Sequence, residues 1–197
     1  IYGQLERLFR DLETDETVKV VVLTGHGRGF CSGGSVEEII GPLLETELDG
    51  TLAFTRMTGA VVRNMLRLNK PIVAAINGIA AGAGSVLALA SDLRVMADTA
   101  KFAFLFTKVG LTGADMGAAW LLPKIVGTGR AMELLMFGDK VTAEESLRIG
   151  LANRVVPQDQ VLAEAMTLAR RLAHGPGLAL GMTKKMVWNE WPMDLDA

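Results

Sequence analysis

Cysteine occurs once, as Cys31, and histidine twice, as His26 and His174. A lone thiol excludes an intrachain disulfide and fits a reducing compartment, so a cytoplasmic location is expected. One cysteine and two separated histidines, both beside glycines in loop sequence, offer no zinc cluster. They support a Ser-His-Asp or Cys-His site just as poorly. No apolar run reaches the roughly 18 residues of a membrane span. The most apolar stretch, residues 71–90, is interrupted by Asn77, Gly78, Gly82, Gly84 and Ser85. Charge of one sign is also scarce: the formal net charge is −2, and no polybasic arm suggests a nucleic-acid surface. No signal peptide is recognisable. The sequence begins at Ile1, within a helical pattern (Leu5, Leu8, Phe9, Leu12), and is treated as incomplete at that end. What remains for chemistry is carboxylates, backbone amides or a cofactor.

What is present is a globular composition, with half the 197 residues apolar and 21% charged, enough for one domain with a hydrophobic core. Residues 18–24 (Val-Lys-Val-Val-Val-Leu-Thr) read as a buried parallel strand, and residues 25–34, with five glycines, as a loop. Helical periodicity runs from 36 to 68, clearest over 51–68, and Lys70-Pro71 stops it. Strands are expected at 72–76, 92–97, 101–104 and 153–156, with 77–82 as a turn. Helices are expected at 84–90, 115–126, 129–137, 143–149, 158–173 and 178–188. Strands alternating with helices indicate an α/β fold with mainly parallel pairing. No linker divides the chain. Residues 1–157 read as the α/β core and residues 158–197 as a helical region of the same domain, with a stripe (Val161, Ala165, Leu168, Leu172) to dock on the core or on another subunit.

Two glycine-rich turns each join a strand to a helix: Gly29-Phe-Cys-Ser-Gly-Gly-Ser35 and Asn77-Gly-Ile-Ala-Ala-Gly-Ala-Gly84. Glycine permits positive φ and lets a ligand approach backbone. The free N–H groups at a helix start favour an anion or a developing oxyanion. Such turns also serve plain strand–helix packing. A dinucleotide fingerprint fits badly: Leu87 stands where its third glycine is needed, and Asp98 comes too early to be the ribose acid.

Together the turns resemble the crotonase (enoyl-CoA hydratase/isomerase) superfamily. Phe30-Cys-Ser-Gly-Gly34 is similar to its F-C/S-A-G-x-D segment. Lys70-Pro-Ile-Val-Ala-Ala-Ile-Asn-Gly-Ile-Ala-Ala-Gly-Ala-Gly84 is similar to its K-P-V-I-A-A-V-N-G-x-A-x-G-G-G segment. Ser91-Asp-Leu-Arg-Val-Met-Ala-Asp98, Leu122-Pro-Lys-Ile-Val-Gly127 and Leu151-Ala-Asn-Arg-Val-Val156 follow in the family's order. The resemblance spans about residues 1–190. It implies the ββα spiral of that fold with a helical C-terminal region. It implies an acyl-CoA substrate, no cofactor beyond the coenzyme A that the substrate carries, no metal, and assembly as a homotrimer or hexamer.

The resemblance also implies an oxyanion hole made by the N–H groups of Gly34 and Ala83, which would hold the enolate of a thioester. The segments around them place Phe30, Ser32, Gly33, Ser35 and Gly82 against the substrate. Many relatives carry an aspartate where Ser35 stands, so Ser35 is open between a wall of the coenzyme A cleft and a solvated loop. The hydratases' two glutamates would fall at Val86 and Phe106, so a two-glutamate hydration mechanism does not transfer, and Val86 and Phe106 are expected to shape an acyl pocket. Asp115 is the remaining acid/base candidate, eight residues before Pro123. Dienoyl-CoA isomerases and ring-modifying isomerases resemble the chain there in carrying a catalytic aspartate, and 4-chlorobenzoyl-CoA dehalogenase in carrying a nucleophilic one. A helix N-cap is the plainer role for Asp115. Three functions stay open: a 2-enoyl-CoA hydratase, which is the family's commonest label; an enoyl- or dienoyl-CoA isomerase using Asp115; and a silent acyl-CoA-binding or structural subunit. Trp120, Trp188 and Trp191 read as core or subunit contacts, and Glu144-Glu145 as the first turn of a helix after Thr142.

Overall fold

The computed structural model describes residues 1–34, 41, 45–190 and 193. Ser35 and most of the expected helical stretch before residue 45 lie outside the described residues, as does Trp191. The elements are α1 (Tyr2–Thr14), β1 (Val21–Thr24), α2 (Leu48–Arg67), β2 (Ile72–Ile76), β3 (Ala80–Ala81), α3 (Ala83–Leu89), β4 (Leu93–Ala97) and β5 (Lys101–Ala103). They continue with α4 (Ala118–Val126), α5 (Thr128–Phe137), β6 (Lys140–Thr142), α6 (Ala143–Arg148), β7 (Arg154–Val156), α7 (Val161–Ala173) and α8 (Gly177–Glu190). Short 3₁₀ turns cover Thr107–Val109, Asp115–Gly117 and Gln158–Gln160.

The β-branched runs form a four-stranded, all-parallel sheet in the order β1-β2-β4-β7. Every residue of β2 is fully buried, as expected of a central parallel strand covered on both faces. Helix α7 lies across β1, β2 and β4 through Val161, Ala165, Leu168 and Ala169. The C-terminal helical stripe therefore packs on the chain's own sheet. A second sheet, β3-β5-β6, pairs β3 with β5 in parallel and β5 with β6 antiparallel. Helix α3 is buried at every position, which is why it is built from Ala, Gly, Ser, Val and Leu. The Oγ of Thr142 accepts the N–H of Glu145 at 3.2 Å and starts α6, with Glu144 and Glu145 in its first turn. Glu145 then binds Arg130 and Arg148.

Three expectations change. The turn over residues 77–82 contains strand β3, and β6 occupies residues with no strand pattern. The helix expected over 115–126 begins only at Ala118, after a 3₁₀ turn that breaks at Met116.

Candidate active site

The two glycine-rich turns are stitched side by side. The side-chain oxygen of Asn77 accepts the N–H of Gly25 at 3.1 Å, and its amide donates to the carbonyls of Gly27 (3.0 Å) and Gly29 (3.3 Å). The N–H groups of Phe30 and Cys31 donate to the carbonyl of Ile79 at 3.0 and 3.2 Å, and Ala81 N–H donates to the Cys31 carbonyl at 2.8 Å. The contact is so close that a Cβ on Gly84 would overlap the Cys31 carbonyl oxygen and stand 2.7 Å from both its carbonyl carbon and its Cβ. Only glycine fits there. Gly82 turns the chain into α3 with φ 51°, and its N–H donates to Ala103 O at 2.9 Å. The Ser85 hydroxyl sits between the carbonyls of Ala80 (2.7 Å) and Ala103 (3.1 Å), fixing the start of the helix on β3 and β5 of the second sheet.

This lock leaves two N–H groups unused. Ala83 is the first residue of α3 and has no intrahelical acceptor. Among the described residues, neither Ala83 nor Gly34 finds another backbone acceptor. Gly34 and Ala83 both line a chamber of about 210 Å³, together with Ser32, Gly33, Gly82, Phe106 and Asp115. Seven of the ten residues singled out from the sequence thus share one enclosure. Phe30 is buried behind it, and Val86, fully buried in α3, does not reach its wall, so the acyl-pocket expectation for Val86 is not met in this lining.

Asp115 is not a helix cap. The N-cap of α4 is Gly117, in the left-handed region at φ 86°, with no side-chain cap. Asp115 lies two residues earlier, on a turn closed by Asp115 N–H to Thr112 O (3.2 Å) and Gly117 N–H to Ala114 O (3.0 Å). Between them Met116 adopts φ 50°, ψ 17°, the only non-glycine residue at positive φ among those described. That conformation costs an L-residue about 1–2 kcal/mol. Its side chain, 6% exposed, is held in the core. Burial pushes the Asp115 carboxyl above the usual aspartate range, and a hydrogen bond from the Met116 N–H opposes this only in part.

The sequence reading missed the opposite wall. Tyr2 of α1 and Phe54, Thr55 and Thr58 of α2 close the chamber, with Tyr2 edge-on to Phe54 at 5.9 Å. Burial first, and then the neighbouring Cys31 and Asp115, push the Tyr2 hydroxyl up to about 12. The spacing of residues 54, 55 and 58 marks one helix face, but nothing in the sequence ties Tyr2 to Asp115. Trp188 is half-buried against the core, as expected, but Trp120 is 45% exposed. They stack at 5.5 Å in a second, larger groove, with Lys124 4.2 Å above the Trp120 ring. His26 and His174 are exposed. Among the described residues, no three His, Cys, Asp or Glu side chains are grouped as metal ligands, and no helix is long and apolar enough to cross a membrane.

The fold and the chamber between the two glycine-rich turns can be set beside known proteins. The enoyl-CoA hydratase/isomerase family model matches residues 2–196, and the chain belongs to that family. It is 36% identical over 187 residues to the 1,2-epoxyphenylacetyl-CoA isomerase of Escherichia coli K12, covering 95% of this chain and 71% of that one. Among solved structures, a "putative enoyl-CoA hydratase" from Streptomyces coelicolor A3(2) superposes with TM-score 0.96 at 51% identity, over 99% of this chain and 71% of that one. A monofunctional enoyl-CoA isomerase from Mycobacterium smegmatis gives 0.82 at 34%, over 100% and 83%. The fold is therefore the crotonase fold. The chain spans between 64 and 66% of the length of its mycobacterial curated relatives.

Proposed function

We propose that this chain is an acyl-CoA isomerase that moves a carbon–carbon double bond by passing one proton through Asp115. The observation that carries this reading is the chamber itself, which among the described residues sets two N–H groups without a backbone acceptor and one carboxylate around one small volume. A 3-enoyl thioester placed there has its carbonyl oxygen at Gly34 and Ala83. Asp115 takes a proton from C2, the electron pair moves to that oxygen, and a dienolate forms. The two N–H groups stabilise it, each by about 3 kcal/mol in a dry site. Asp115 returns the proton to C4, and the double bond finishes conjugated to the thioester. Desolvation makes Asp115 a stronger base than an exposed carboxylate, as this transfer needs.

The names of several relatives favour a second reading, in which Asp115 assists water addition to a 2-enoyl thioester. One assay separates the readings. Isomerisation of a 3-enoyl-CoA creates the ultraviolet absorbance of a conjugated enoyl thioester, and hydration of a 2-enoyl-CoA bleaches it. The expected result is a rise with 3-enoyl-CoA that falls about a hundredfold or more in Asp115→Asn. Equal rates in both proteins would remove Asp115 from the mechanism. Bleaching of 2-enoyl-CoA alone would make the enzyme a hydratase. Binding of acyl-CoA with neither change would make it a silent subunit.

A further inference from the structure

A second, larger groove lies against the chamber on the Asp115 side. Thr55, Leu111, Asp115 and Met116 are walls both of the chamber and of this groove of about 1080 Å³ that runs between α2, α4 and α8. Val62, Leu66, Leu121 and the stacked Trp120 and Trp188 give it an apolar lining, bordered by the charged Glu13, Arg63, Arg67 and Lys185. Helix α2 presents Thr55, Gly59, Val62 and Leu66 to this space, a spacing that places them on one face.

Gly59 is the unexplained member of that row. It sits inside a 20-residue helix, where glycine is less favourable than alanine. Close backbone approach is the usual reason for such a glycine, and it holds elsewhere in this chain: a Cβ on Gly84 or Gly181 would strike a neighbouring carbonyl. A Cβ on Gly59 would meet nothing within 4 Å. Packing among the described residues therefore does not require glycine there, and the position lines the groove, where a larger side chain would take up space.

We infer that the groove receives the distal part of a bulky acyl group, long-chain or ring-bearing, and that Gly59 sets how large a group can pass. This rests on the acyl-CoA reading above and extends it to substrate class. The thioester and the reacting carbons occupy the small chamber. The wall shared at Thr55, Leu111, Asp115 and Met116 sets the direction in which the rest of the acyl group would extend, along Gly59 toward the tryptophan pair. Removing apolar contact or adding a block in such a path changes selectivity about tenfold or more.

The test compares wild type with Gly59→Phe, and with Gly59→Ala as a smaller step, on 3-butenoyl-CoA, 3-hexadecenoyl-CoA and a phenyl-bearing 3-enoyl-CoA. The expected result is a loss of tenfold or more in kcat/KM for the two large substrates in Gly59→Phe, with 3-butenoyl-CoA within about twofold of wild type and Gly59→Ala in between. Parallel profiles for all three substrates would overturn the inference. So would an equal loss on every substrate accompanied by a new elution position in size-exclusion chromatography, because the groove would then be a contact between chains. If wild type turns over none of them, it is the isomerase reading that has failed. Calorimetric affinity for butanoyl-CoA and hexadecanoyl-CoA then decides the inference: it stands if Gly59→Phe weakens only the longer ligand, and falls if both bind as to wild type.

Discussion

Gly84→Ala tests the oxyanion geometry without touching either donor. The added Cβ would overlap the Cys31 carbonyl oxygen and lie 2.7 Å from its carbonyl carbon, so the obstacle is backbone rather than a side chain that can swing away. One of the two turns must move. The carbonyl that is struck is the acceptor for Ala81 N–H at 2.8 Å, and displacing it separates the first turn, which carries Gly34, from the second, which carries Ala83. Overpacking of this kind costs about 1–3 kcal/mol. In a domain of this size each kcal/mol lowers Tm by roughly 2–4 °C. Loss of one aligned donor lowers kcat by about 10²–10³, and KM changes much less because the interaction strengthens in the transition state. Gly129→Ala is the control. It lies in α5, away from the chamber, and its Cβ would meet nothing within 4 Å, so both stability and turnover should hold. The assay is enoyl thioester absorbance at saturating substrate, with thermal melts on the same samples. A folded Gly84→Ala protein with wild-type kcat would refute the claim that the apposed turns position the donors.

Asp115→Asn should raise Tm at neutral pH. A carboxyl whose folded pKa is raised contributes stability fully present below its unfolded pKa and lost as pH rises through the folded one, so the ionised form is a burden that asparagine removes; melts across pH should show the gain shrinking toward about pH 4, and no gain at pH 7 would refute it. In the wild type, turnover should fall as pH drops through that raised pKa, because the base must be ionised, and a flat acid limb in kcat would contradict the assignment. Lys184→Met should destabilise by about 3–5 kcal/mol in urea titrations, since it leaves Asp92 buried without the ammonium now 2.9 Å away. Adding Asp92→Asn should recover most of that loss, because burial pushes Asp92 up and Lys184 down even in each other's presence; a double variant no more stable than the single one would refute it.

The parallel sheet was legible because its strands carry β-branched runs too apolar for an exposed surface, and β2 is indeed buried at every residue. Strands β3 and β6 were not, because Ala80-Ala81 has no β-branched residue and Lys140-Val-Thr142 has one apolar residue between polar ones. Ala80–Ala81 is a strand only because Cys31 and β5 flank it. The two turns announced themselves through glycine, and Gly82 and Gly84 do need it. At Asp115 local pattern left two roles open. Asp before an apolar helical run reads as a cap, but the left-handed Gly117 starts the helix instead and frees the carboxylate for the chamber. The contact between Tyr2 and the Asp115 wall spans more than a hundred residues, and no local signal could carry it.

Among the described residues, the one non-glycine residue at positive φ, Met116, lies at the chamber. Gly33 at φ 85°, Gly82 at φ 51° and Met116 at φ 50° all form its wall. At the two glycines the conformation is nearly free. At Met116 it is not, and an asparagine or glycine there would satisfy the turn at lower cost. The methionine side chain is buried against the core and cannot be lost without leaving a cavity. The residue is thus pinned by its side chain in a conformation that its backbone disfavours, and the result is a fixed kink one residue after Asp115, the one carboxylate of the chamber among the described residues. A regular helix from Asp115 onward would have turned that carboxylate toward its own N–H groups. The kink confines it to a single backbone donor, Met116 N–H, and leaves the rest of its lone pairs for a proton on carbon. Strain held at one place by surrounding packing is better explained by what it aims than by what it stabilises. Here it aims Asp115 at the space beside the Gly34 and Ala83 N–H groups.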